Sequence, residues 1–121
     1  MLFTEKETEV LSSIITRSLI RHTMIDLNHL TDITTKVLDA SYNIIFNELK
    51  GIKSANHLSY GDVYELCSCV YRETCNEEQI ETDLRMRSHK QTNNAYLNQL
   101  HRLLRKLERI EENHPQNPRN K

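Results

Sequence analysis

Residues 1–50 of this 121-residue chain contain no glycine or proline, and neither do residues 62–114. A sheet protein of this size needs a turn about every 8–12 residues, and turns draw on those two residue types. Helices need neither inside their length. Two glycines (Gly51, Gly61) and two prolines (Pro115, Pro118) therefore point to an all-α fold. The length predicts one domain, and an apolar content of 37%, below the usual share, predicts a modest core.

Local signals place the helices. Thr4-Glu5-Lys6-Glu7 fits a capping box, with Val10, Leu11, Ile14, Ile15 and Leu19 on one face behind it. The pattern blurs around residues 22–29, where Asp26 or Asn28 offers a cap. A second stripe runs through Leu30, Ile33, Val37, Leu38, Ser41, Ile44, Ile45 and Leu49. Gly51 follows at the position where left-handed backbone usually ends a helix. These two helices could also run on as one. Ser59 with Asp62 opens a third, with Val63, Leu66, Cys67, Val70 and Thr74 as its inner face. Asn76, followed by Glu77 and Glu78, reads as the next start, since carboxylates suit the positive end of a helix.

From there a long helix is expected to reach about residue 112. Leu100, Leu103, Leu107 and Ile110 recur at heptad a/d spacing, and the same frame puts Asn93 at a and Tyr96 at d. The expected architecture is a small bundle or hairpin of three helices (about 4–22, 27–50 and 60–75). A fourth, at 77–112, forms a short coiled coil. The tail, 113–121, has two prolines and no apolar residue and reads as disordered.

Charge is strongly patterned although the total is only −1. Residues 61–84 hold seven carboxylates (Asp62, Glu65, Glu73, Glu77, Glu78, Glu81, Asp83) against Arg72. Residues 85–109 hold seven cations (Arg85, Arg87, Lys90, Arg102, Arg105, Lys106, Arg109) against Glu108. Such a split marks a surface built to meet another charged surface. The acidic stretch is expected to fold against the basic one or to pair with it in a second copy.

No catalytic site can be assembled from the sequence. A Gly-rich phosphate loop and a Gly-x-Ser-x-Gly elbow are both missing, so the chain is read as not being an enzyme. Cys67-x-Cys69-x5-Cys75 attracts a metal reading. On a helix, however, Cys67 and Cys69 point about 200° apart and cannot share an ion. Cys67 is expected in the core and Cys69 outside. The six histidines (His22, His29, His57, His89, His101, His114) show no ligand spacing, and no cofactor or metal is assigned.

Three cysteines crowded into nine residues argue against a secreted disulfide framework. The first residues lack a cationic and apolar leader, and no stretch is apolar enough to span a membrane. The expected location is cytoplasmic or nuclear.

The basic amphipathic stretch carries the functional reading. Arg102, Arg105, Lys106 and Arg109 cluster within about 100° on a helical wheel, opposite Leu97, Leu100, Leu103, Leu104 and Leu107. The expectation is a protein-protein interaction module, a small scaffold or subunit of a larger complex. Leu100, Leu103, Leu107 and Ile110 form the seam, self-association as a dimer is one outcome, and Arg102, Arg105 and Arg109 select an acidic partner. The alternative is a nucleic-acid-associated regulator that uses the basic face of residues 85–109. A neutral total charge and the lack of interleaved aromatics weigh against that alternative.

Overall fold

The computed structural model describes residues 2–22, 32–88 and 94–120, and all its regular elements are helical. Four α-helices follow in order: α1 (Glu5–His22), α2 (Asp32–Gly51), α3 (Tyr60–Ser88) and α4 (Ala95–Glu112). Short 3-10 turns lie at Ala55–His57 and Pro118–Asn120. Two compact units make up the chain, Met1–Leu58 and Ser59–Lys121.

In the first unit α1 packs on α2. The Leu2 amide donates to the Ile52 carbonyl at 3.2 Å, joining the start of α1 to the end of α2, so the pair runs antiparallel. The expected capping box forms. The Thr4 amide donates to Glu7 Oε1 at 2.8 Å and the Glu7 amide donates to Thr4 Oγ1 at 3.2 Å. Phe3, Leu11 and Ile14 are buried, while Leu19, expected on the inner face, is 47% exposed.

Between the buried apolar residues of α1 runs a line of hydroxyls that the apolar pattern does not reveal. Thr8, Ser12 and Thr16 are buried, and each donates to the carbonyl four residues earlier, at 2.8, 2.7 and 2.7 Å. Back-bonding satisfies these hydroxyls inside the helix itself, so burying them leaves no polar atom unpaired.

On α2, Leu49 is buried and Ile44 is 60% exposed. Gly51 is the last residue of α2 and does not take the left-handed backbone that the sequence suggests. The helix closes with the Ile52 amide donating to the Leu49 carbonyl, a tightened turn open to any residue. Asp26, Asn28, Leu30 and Asn93, and the side chains of Ile33, Val37 and Leu38, lie outside the described residues.

The second unit is the α3–α4 hairpin. Its expected opening is present: the Asp62 amide donates to Ser59 Oγ at 3.1 Å and the Ser59 amide to Asp62 Oδ2 at 3.4 Å. Val63, Leu66, Cys67, Val70 and Thr74 are all buried, as their spacing predicts.

The helix boundary expected at Asn76 does not exist, because α3 continues without a break to Ser88. A cap competes with continuing the helix, and Glu73, Thr74 and Glu81 keep the same inward face going on both sides of Asn76. The long helix expected at 77–112 is therefore two helices. The later one starts at Asn94, whose side chain accepts from the Leu97 amide at 3.0 Å.

The stretch after Glu112, read above as disordered, packs on the start of α3. His114 and Asn117 are buried. Asn117 Nδ2 donates to the Glu111 carbonyl at 2.9 Å, and the Tyr60 amide donates to Gln116 Oε1 at 3.1 Å. The Tyr60 and His114 rings lie 6.0 Å apart. Polar side chains, which carry no hydrophobic signal, hold this segment.

Candidate interaction surface

Among the described helices α4 is the most strongly two-faced, and its two faces have different fates. Leu97, Leu100, Leu103 and Leu107 are buried, the last three to 1% exposure or less. α3 is the helix they meet. Tyr60 at the start of α3 contacts Glu111 near the end of α4, and Glu73 contacts Tyr96, so the helices run antiparallel. The seam expected to receive a partner is thus filled by the chain's own third helix. Heptad spacing specifies that a helix packs there but not which one. Ile110, at the edge of the seam, is half-buried.

Arg102, Arg105 and Arg109 are exposed, on the side opposite the leucines. At about 100° per residue they form one stripe, with separations of about 4.5 and 6 Å along the axis. The Arg102 Nε also donates to the Asn98 carbonyl at 3.4 Å, which holds its stem along the helix. Lys106 borders the stripe and is half-buried.

The acidic half of α3 does not reach these arginines. Glu73, Glu78 and Glu81 lie instead beside the N-terminal half of α4. Glu73 is buried and accepts from the Tyr96 hydroxyl at 3.2 Å. Glu78 Oε1 lies 3.1 Å from His101 Nε2. Glu81, also buried, accepts from Arg85 Nη2 of its own helix at 2.9 Å. Glu78 and Glu81, with Thr82, Arg85 and Leu97, line a groove of about 270 Å³ beside the first turn of α4. Carboxylates at that place favour the positive end of the α4 dipole. These three carboxylates thus serve the hairpin internally, while Arg102, Arg105 and Arg109 are turned outward.

At the other end of the hairpin, Tyr60, Glu108, Glu111, Glu112, Asn117 and Arg119 line a cavity of about 180 Å³. The Tyr60 hydroxyl donates to Glu111 Oε1 at 3.2 Å. Burial and then this hydrogen bond push the Tyr60 phenol above its ordinary range. Cys67 lies close by. Burial, followed by the charge of Glu111, pushes its thiol up to about 12 and keeps it protonated.

Cys67 is buried, Cys69 half-buried and Cys75 exposed, and all three are free thiols. Among the described residues, no group of three or more His, Cys, Asp or Glu is placed to hold a metal ion. No described helix is long and apolar enough to cross a membrane.

Compared with family models, with curated proteins and with solved structures, the chain matches none.

Proposed function

We propose that this chain is a non-catalytic helical interaction module, a small scaffold or subunit of a larger complex, that meets an acidic protein partner through the outward face of α4. The observation that carries this reading is the division of α4, with Leu100, Leu103 and Leu107 buried and Arg102, Arg105 and Arg109 exposed. Guanidinium groups form paired hydrogen bonds with carboxylates, and a rigid helix holds three of them in register before any partner arrives. The leucines stabilise the platform and the arginines choose what binds to it. Ile110, at the border, supplies apolar contact area beside the charges. The free thiols support a reducing compartment, cytoplasm or nucleus.

Affinity capture with quantitative mass spectrometry tests the proposal, comparing wild type with the R102E/R105E/R109E variant. Proteins held by wild type and lost by the variant, whose helicity stays unchanged, are the expected result. Equal retention by both would overturn the proposal.

The same exposed stripe favours one second reading, in which the arginines neutralise phosphates of a nucleic acid. That reading predicts binding of a short duplex that weakens steeply with salt, because counterions are released at each phosphate contact. A module for acidic proteins predicts little duplex binding near physiological salt.

A further inference from the structure

α3 buries one stripe of side chains and carries a second beside it. Val63, Cys67, Val70 and Thr74 are buried, at separations of four, three and four residues. Each is followed directly by a member of the second stripe: Tyr64, Ser68, Tyr71 and Cys75. One residue turns a helix by about 100°, so this stripe keeps the heptad spacing on a flank turned away from the buried line. Tyr64 and Tyr71 are 55% and 60% exposed, Cys75 is exposed and Ser68 half-buried. α4 leaves this flank open.

The flank is its own complement in size. Its order is large, small, large, small, and reversal end to end sets every large residue on a small one. An antiparallel second copy seats Tyr64 over Cys75 and Tyr71 over Ser68, and two-fold symmetry repeats both contacts. A parallel copy in register would set tyrosine on tyrosine.

Charge along the outer border agrees. Glu65 and Arg72 are exposed there, each one residue beyond a tyrosine. Neither has an opposite charge three or four residues away, and about 10.5 Å of helix separates them from each other. In the antiparallel register that seats the tyrosines, Glu65 of one copy comes within about 3 Å, along the axis, of Arg72 of the other. Symmetry forms this pair twice.

We propose that this flank of α3 docks a second copy of the chain as an antiparallel helix pair, with the tyrosines of each copy seated on Ser68 and Cys75 of the other and Glu65 facing Arg72. Exposed charge pairs contribute little affinity, so they set direction and register while the four tyrosine rings drive association. The contact is small beside the roughly 800 Å² per partner of a standard interface, so the dimer exchanges rapidly and depends on concentration. The pairing does not use the arginine face of α4 and stands independently of the partner proposed for it.

Sedimentation equilibrium of the full chain under reducing conditions, over a concentration series, tests the pairing. Wild type is expected to show a reversible monomer–dimer equilibrium. Y71A, at a position 60% exposed, is expected to keep the helicity of wild type and to weaken the dimer at least about tenfold. E65R and R72E alone each bring like charges together and weaken the dimer several-fold, whereas E65R/R72E together restore it. A wild-type chain that stays monomeric throughout would overturn the proposal. So would a dimer indifferent to Y71A, or a charge-swapped double variant no tighter than either single one.

Discussion

The Tyr96 hydroxyl donates to the buried Glu73 carboxylate at 3.2 Å, tying the first turn of α4 to the middle of α3. A buried carboxylate deprived of a donor carries a desolvation cost, and hydrogen bonds to charged groups contribute about 1.5–3 kcal/mol. Tyr96→Phe is expected to lower the stability of the α3–α4 hairpin by about 1–2 kcal/mol. Urea unfolding measures this, and a midpoint equal to wild type would contradict it.

The leucine core gives a larger effect. Leu103 is 1% exposed and Leu107 fully buried, so Leu103→Ala is expected to cost about 2–5 kcal/mol through lost burial and a cavity. Arg105→Ala, on the exposed face, is expected to stay within about 0.5 kcal/mol of wild type. Paired unfolding curves of the two variants read the contrast directly, and similar shifts for both would show that the faces are wrongly assigned.

Capping is a separate lever. Asn94→Ala removes the side chain that accepts from the Leu97 amide, and is expected to destabilise the second hairpin by about 0.5–2 kcal/mol. Asn76→Ala, in the uninterrupted body of α3, is expected to be neutral or slightly stabilising, since alanine has the higher helix propensity. Thermal melts of both variants check this pair. Equal destabilisation would mean that Asn76 does act as a helix start.

Thiol chemistry separates the cysteines. Cys75 is exposed and is expected to alkylate readily in the native chain, while Cys67 reacts only on unfolding. The Cys67 thiol titrates at about 12 in the fold against an ordinary 9.0, so the folded state holds its proton more tightly. Its contribution to stability is whole below pH 9.0 and is lost as the pH rises toward about 12. Cys67→Ala is expected to flatten that alkaline part of the pH–stability curve, which denaturation midpoints across the window would show.

How much of this was legible follows from how local each signal is. The boxes at Thr4/Glu7 and Ser59/Asp62 are closed within four residues and formed as their sequences imply. The inner face of α3 from Val63 to Thr74 was equally readable from spacing. Asn76 misled because a cap-forming residue followed by carboxylates looks the same inside a helix as before one. The hydroxyl line Thr8–Ser12–Thr16 escaped because polarity hides burial when each hydroxyl bonds its own helix. The packing of residues 113–117 escaped for a related reason, since Asn117 and Gln116 act through amide contacts. The a/d leucines were visible, but periodicity is identical for a partner helix and for α3.

Thermal unfolding followed by circular dichroism reads which face of α4 holds the hairpin together and which is left for other molecules. The comparison is between L103E/L107E and R102E/R105E/R109E. The leucine pair is expected to lose the cooperative transition of the second hairpin while the arginine triple melts like wild type. A leucine pair that melts normally, beside an arginine triple that does not, would contradict it.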